Sequence, residues 1–143
     1  MKAAYLIVFL LFISCKSQKH YRDTDDRLVL LVQDGYFQVD NPETLIIKDA
    51  KSLRAFFSKV NQTRKPGIPV PEVDFKTQNV LVACMGVMET SYLPTMYLKN
   101  ESPKEMLVSV RFKNESGKSG IKSFPFCVYA ISHEGKKITL EVD

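Results

Sequence analysis

The chain has 143 residues, is 45% hydrophobic and carries a formal net charge of +4. This length suits one domain with its own core, and this hydrophobic content excludes a chain that stays disordered. The charges are interspersed, with no basic block and no basic-aromatic stripe, so we expect no nucleic-acid partner.

The N-terminus has the pattern of an export signal. Lys2 precedes an unbroken apolar run over residues 3–13, which Ser14 and Cys15 follow. The run is shorter than the ~20 residues of a membrane-spanning helix, and a charged start with a small residue at the cut is typical of secretion. With a Cys directly after the cut, the segment resembles a bacterial lipoprotein signal, although Phe12 stands where Leu is usual. In that family the Cys becomes the lipidated first residue, so we predict lipidation at Cys15.

This signal divides the chain and indicates where the protein works. We predict a signal peptide over residues 1–14, a lipidated Cys with a polar tether over residues 15–26, and a folded domain over residues 27–143. Lys16 is not the Asp that retains lipoproteins in the inner membrane in the best-known sorting rule. We therefore expect a lipid-anchored protein of the bacterial cell envelope, and the outer membrane, facing the periplasm, is favoured.

The first part of the domain is predicted to be extended. Residues 27–33 are a strand that ends at the turn signal Asp34-Gly35, and residues 36–39 continue in extended conformation. The pair Asn41-Pro42 breaks the chain, and the short β-forming run 44–48 is the next strand.

One segment, residues 49–60, predicts an amphipathic helix. Asp49 is a suitable N-cap, and apolar residues follow at the i, i+3, i+4, i+7 spacing of a single helix face. The residues of this face are Leu53, Phe56, Phe57 and Val60. Because they must be buried, we expect the helix to pack on a sheet.

The second half predicts strands and no further helix. Residues 79–85 are apolar on both faces, which is typical of a central strand covered on both sides. The segment 92–98 is also β-like, and Pro94 within it indicates an edge strand or a bulge. Three more strands are predicted over residues 106–112, 124–131 and 137–142, the last two as a hairpin around a turn at residues 133–135. The expected fold is α+β: a single domain of antiparallel sheets, about seven strands, with one packed helix.

Candidate catalytic and metal-binding residues are few. The only histidines are His20, in the predicted tether, and His133, in a predicted turn, and no Gly-x-Ser-x-Gly elbow occurs. Cys84 and Cys127 lie inside apolar runs without the Cys-x-x-Cys spacing of a zinc site. They fit either two buried free thiols or a disulfide in an exported domain, and the sequence leaves both open. We predict no enzyme activity, no metal and no cofactor.

Four segments carry a family resemblance. They are residues 47–57, residues 71–75 with the sequence Pro-Glu-Val-Asp-Phe, the apolar strand 80–86 that ends in Gly, and residues 124–131 with the sequence Phe-Pro-Phe-Cys-Val-Tyr-Ala-Ile. In this order they resemble the C-terminal domain of the PrcB family, over about two thirds of the chain. Members of that family are often lipoproteins, and the family name comes from a lipoprotein that binds and stabilises a partner protease.

The resemblance places a distinctive loop at residues 86–92. The family loop has Thr-Gly-Gly-Tyr, whereas this chain keeps Gly86, Thr90 and Tyr92 and has Ser91 in place of the glycine pair. Because methionines suit adaptable contact surfaces, we predict that the segment 86–96 contacts a partner. The predicted contact residues are Gly86, Met88, Thr90, Tyr92 and Met96.

Three functions are compatible with these observations. The first is a lipid-anchored, non-enzymatic binding domain that engages or stabilises another envelope protein, with a protease as one candidate. The second is a structural envelope lipoprotein without a dedicated client. The third is a small-ligand-binding domain, which a deep pocket with converging polar groups would favour, whereas an apolar patch around residues 86–96 would favour the first.

Overall fold

The computed structural model describes residues 25–89, 91–112 and 120–143. Seven strands and one α-helix, followed by a short 3-10 turn at Asn61–Thr63, make up this part of the chain. The elements are β1 (Leu28–Asp34), β2 (Glu43–Ile47), α1 (Ala50–Val60), β3 (Gln78–Cys84), β4 (Thr95–Glu101), β5 (Glu105–Arg111), β6 (Phe126–Ser132) and β7 (Lys137–Val142). The predicted α+β class is confirmed, whereas the predicted signal peptide lies outside the described residues.

The strands form two sheets. A four-stranded sheet has the order β1-β6-β3-β2 with antiparallel neighbours throughout, and a three-stranded sheet has the order β4-β5-β7. In the smaller sheet β5 pairs antiparallel with β4 and parallel with β7. Two separate hydrophobic clusters lie on the two faces of the four-stranded sheet, one beneath α1 and one against the smaller sheet. The domain therefore has three layers.

Strand β3 is central and covered on both faces, as its continuous apolar sequence predicts. Val80 and Val82 belong to the cluster beneath α1, whereas Leu81 and Ala83 belong to the cluster between the sheets. All four side chains are fully buried. Alternate side chains of a strand point to opposite faces, so one short strand contributes to both cores.

The helix begins and packs as its sequence predicts. The Asp49 carboxylate accepts a hydrogen bond from the backbone N–H of Ser52 at 2.8 Å, which is an N-cap. The Phe56 ring makes edge contacts with Phe37 and Phe126, with ring centroids 5.5 and 6.3 Å apart. The four residues of the predicted apolar face are all buried: Leu53, Phe56, Phe57 and Val60.

The predicted hairpin of the last two strands is wrong. Strand β6 already pairs with β1 on one side and with β3 on the other, so neither of its edges is open to β7. A tight turn follows β6, in which the Lys136 N–H donates to the His133 carbonyl at 2.7 Å and Glu134 and Gly135 have positive φ. This turn carries the chain into the smaller sheet, where β7 lies parallel to β5.

Pro94 predicts an edge or a bulge, and β4 is an edge strand. Among the described strands it pairs only with β5, and its register shifts between Leu98 and Asn100. Pro94 directly precedes the first residue of the strand, where its missing N–H costs no ladder hydrogen bond.

Candidate functional site

The segment that joins β3 to β4 is held at one end of the sheet sandwich. Met88 and Ser123 exchange two backbone hydrogen bonds of 2.9 and 2.7 Å. The Gln33 side chain donates to the Pro94 carbonyl at 2.7 Å. Leu93 lies against Gly35, since a Cβ atom at Gly35 would be 3.8 Å from the Leu93 Cδ2. These contacts attach the segment both to the end of β1 and to the chain before β6.

Gly86, the first predicted contact residue, has a structural role. Its φ is +69°, and a Cβ atom there would lie 3.2 Å from the backbone nitrogen and the Cδ of Pro42. Glycine tolerates both the left-handed conformation and the close approach. Gly86 is buried and thus offers no contact surface in this conformation.

Four side chains around this end form a partly apolar exposed surface. Tyr92 is 39% exposed, Val87 is exposed and Met88 is half-buried. Tyr36, after the end of β1, is 54% exposed and its ring lies 6.1 Å from that of Phe124. We call Tyr36, Val87, Met88 and Tyr92 the Tyr92 surface.

Arg64 fixes the backbone on which Tyr36 sits. Its guanidinium donates to the Asp34 carboxylate and to the Tyr36 carbonyl. The Tyr36 N–H in turn donates to Asp34 at 2.7 Å. These contacts hold the backbone of the turn after β1.

A cleft of about 500 Å³ opens beside the Tyr92 surface, between β1 and β4, which are one edge strand of each sheet. The structure brings Tyr92 and Met96 together in this cleft, but Met96 is only 4% exposed and belongs to the core between the sheets. The lining includes Asp25, Leu30, Tyr92, Tyr97, Arg111 and Tyr129. Burial raises the pKa of Tyr129 above its ordinary value.

The predicted contact residues thus have different positions. Met88 and Tyr92 present surface, Gly86 and Met96 are buried within the domain, and Thr90 lies outside the described residues. The cleft residues Leu30, Arg111 and Tyr129 are absent from the sequence-based prediction. No local pattern marks them, because strand pairing between distant segments brings them together.

A charged network lies at the opposite end of β1. The Arg27 guanidinium donates to Glu101 at 2.8 and 2.9 Å and to Asp25 at 3.0 and 2.8 Å. Lys136 also pairs with Glu101. The hydrogen bonds from Arg27 and then Lys136 lower the pKa of Glu101 to about 2. These contacts tie the start of β1 to the end of β4 and so link the two sheets.

Cys84 and Cys127 are free thiols on opposite faces of the four-stranded sheet. In the β3–β6 register Cys84 faces Phe126, and Cys127 faces Ala83. Cys84 lies in the cluster beneath α1, whereas Cys127 lies between the sheets. Burial raises the pKa of each thiol to about 12. The disulfide that the sequence left open is not formed, and the opposite orientation of the two side chains prevents it.

His133 has a structural role, and the described residues show neither a metal site nor a membrane-spanning helix. The His133 Nδ1 accepts a hydrogen bond from the Gly135 N–H at 3.0 Å within the turn before β7. In the described part of the chain, no group of three or more His, Cys, Asp or Glu side chains is placed to hold a metal ion. Within the same residues, no helix is long and apolar enough to cross a membrane.

Comparison with known proteins gives no relative from which a function could be transferred. No protein-family model matches the chain, and neither a curated protein nor a solved structure matches it. The resemblance to the PrcB family therefore stays a prediction that rests on the four segments quoted above.

Proposed function

We propose that the protein is a lipid-anchored, non-enzymatic binding domain of the bacterial cell envelope that engages or stabilises another envelope protein. The observation that carries this proposal is the Tyr92 surface, where Val87 and Tyr92 are exposed on a segment held by backbone hydrogen bonds and Tyr36 is exposed on the turn after β1. The family resemblance makes a protease the first candidate for the partner.

Physical arguments support a contact role for this surface. Tyrosine is enriched among the residues that dominate binding energy at protein interfaces, because it buries a large area with few rotatable bonds. The Met88–Ser123 bridge holds the segment, and the Arg64 contacts hold the turn that carries Tyr36, before any partner arrives. A surface that is already ordered loses less conformational entropy on binding, which favours affinity.

A variant with Tyr92→Ala and Met88→Ala tests the surface. We expect it to melt cooperatively, because neither side chain is fully buried, and to lose the proteins that crosslink to the wild type in intact envelopes. Val70→Ala, at another exposed valine, is the matched control and should retain those proteins. Recovery of the same proteins with the double variant and with the wild type would contradict the proposal.

The lipid anchor is tested separately by Cys15→Ser. A lipoprotein Cys carries several acyl chains, and a single chain gives only marginal membrane binding, so loss of the modified Cys should release the mature domain. Cell fractionation and metabolic labelling with palmitate measure both effects. A wild type that takes up no palmitate, or a variant that takes up as much palmitate as the wild type, would refute the anchor.

The cleft supports a second candidate function, the binding of a small ligand. Its volume of about 500 Å³ lies within the range of ligand pockets. Its lining combines apolar side chains with three tyrosines and carries charges of both signs, Arg111 and Asp25, so it would suit an apolar molecule with a polar group. An anionic apolar dye such as anilinonaphthalene sulfonate tests this function: saturable binding that Leu30→Ala weakens supports it, and no saturable binding contradicts it.

A further inference from the structure

The cleft between β1 and β4 is the place where the core between the two sheets opens to solvent. Met96 and Tyr129 belong to that core and line the cleft, and Leu28, which packs against the same core, lines it as well. Leu30 also lines the cleft and is 47% exposed. An apolar side chain that faces a gap beside the core is stabilised when an apolar ligand covers it. The position of the cleft therefore favours an apolar ligand.

Two side-chain contacts join β1 to β4, one on either side of this gap. The Gln33 side chain donates to the Pro94 carbonyl at 2.7 Å, and the Arg27 guanidinium donates to Glu101 at 2.8 and 2.9 Å. Residues 27 and 33 lie at most about 20 Å apart along the strand. A single side chain is enough to span the gap at each contact, so the cleft is long and narrow.

The polar groups that line the cleft already have partners within the protein. The Tyr97 hydroxyl donates to Asp143, and the Met96 backbone is hydrogen-bonded to the Tyr129 hydroxyl. Asp25 accepts hydrogen bonds from Arg27 at 3.0 and 2.8 Å. A ligand that offered hydrogen bonds along the cleft would have to compete with these contacts. Apolar surface is therefore what the cleft can recognise along its length.

The two ends of the cleft differ in charge. Asp25 lies at the end near Arg27, which balances its charge. Arg111 lies near the other end, because its register partner Thr95 directly follows Pro94. The Arg111 guanidinium carbon is 4.5 Å from the centroid of the Tyr97 ring. An anionic headgroup is attracted to the Arg111 end and repelled by the carboxylate at the Asp25 end.

We propose that the cleft binds a long-chain fatty acid, with the acyl chain along β1 and the carboxylate towards Arg111. This inference rests on the second candidate function, the binding of a small ligand, and names the ligand class. An unbranched acyl chain suits a cleft that is long, narrow and apolar, because it needs no hydrogen bonds along its length. A peptide strand paired with β1 would instead have to displace the contacts of Gln33 and Arg27 with β4.

Photocrosslinking of the full chain tests the ligand class. The probe is palmitic acid with a diazirine in its chain, added to isolated envelopes without ATP so that it is not activated for transfer to other molecules. We expect the crosslinked residues, identified by mass spectrometry of the wild type, to fall within residues 28–30 and 92–97. Excess palmitic acid should prevent the crosslink, and hexadecanol, which has no carboxylate, should compete less well.

A matched pair of variants compares the two faces of β1. Leu30→Asn places a polar group in the cleft and should lower the crosslinking yield about tenfold or more, since a buried Leu contact is lost. Val29→Asn is the control, because Val29 is 46% exposed but points to the opposite face of the sheet. It should retain the wild-type yield. Cooperative melts of both variants show that they still fold.

Three outcomes would overturn the proposal: crosslinks in the wild type that lie outside the cleft, a yield that excess palmitic acid does not reduce, or equal yields from the two variants. The first two use the wild type alone, so they decide the question even if a variant folds poorly. Saturable binding of anilinonaphthalene sulfonate without a palmitic acid crosslink would overturn the fatty acid and leave the small-ligand function standing. None of these outcomes depends on the variants at Tyr92 and Met88.

Discussion

Phe57 has no exposed surface and belongs to the cluster between α1 and the four-stranded sheet. We expect Phe57→Ala to lower the free energy of unfolding by about 3–5 kcal/mol, because it removes a buried ring and leaves a cavity. Arg54, on the exposed face of the same helix, is the control, and Arg54→Ala should change stability by less than about 0.5 kcal/mol. Denaturant titration measures both. Similar small losses for both variants would rule out the packing of α1 on the sheet.

The residues of the predicted contact segment show how far a local pattern can be interpreted. Gly, Met and Tyr within a few positions suggest a contact surface, yet Met96 packs in the core while Met88 lies half-buried at the end of the sandwich. The sequence does not distinguish them, since the same side chain suits a core and an interface. Only the position of each residue relative to the two sheets decides which role it takes.

At the scale of an element, the exit from β3 depends on Gly86. Gly86→Ala should destabilise the fold by about 1–3 kcal/mol, because Ala tolerates positive φ poorly and its Cβ would press on Pro42. Gly135 has a φ of +73° but no atom within 4 Å of an added Cβ. Gly135→Ala therefore measures the cost of positive φ alone, without a steric contact. Thermal melts of Gly86→Ala and Gly135→Ala should therefore show the larger loss for Gly86→Ala. A larger loss for Gly135→Ala would contradict the close contact with Pro42.

The strands and the helix could be predicted one by one, but not all of their neighbours. Local periodicity marks α1, and the unbroken apolar run marks β3 as central. A hairpin of β6 and β7 would need a free edge on β6. Strand β1, which lies far away in sequence, occupies that edge. Pairings of this kind are decided by competition among distant segments, which a local pattern does not contain.

At the scale of the whole molecule, the contact of Glu101 with Arg27 and Lys136 links the two sheets. The pKa of Glu101 is lowered from its ordinary 4.5 to about 2. The contact therefore contributes stability above about pH 4.5, and this contribution is lost as the pH falls towards about 2. Glu101→Gln lacks the titrating group and should lose less stability than the wild type across this window.

Urea unfolding at several pH values between about 5 and 2 measures this difference. Carboxylates with lowered pKa values away from this contact, such as Asp49, titrate alike in both proteins, so the difference between the two curves reports Glu101 together with the groups that share its contact. If the free energy of unfolding falls equally with pH in the wild type and in Glu101→Gln, the ionisation of Glu101 does not contribute to stability.

The sequence by itself determined the α+β class, the position and cap of α1 and the central place of β3, and it limited the segment of β4 to an edge or a bulge. Each of these follows from the spacing of apolar residues or from one local rule. Only the tertiary structure decided the exclusion of β7 from the larger sheet, the separation of Cys84 and Cys127 by that sheet, and the cleft between β1 and β4. The physical reason is that strand order and register join residues far apart in the chain, and a shift of one residue turns a side chain to the other face.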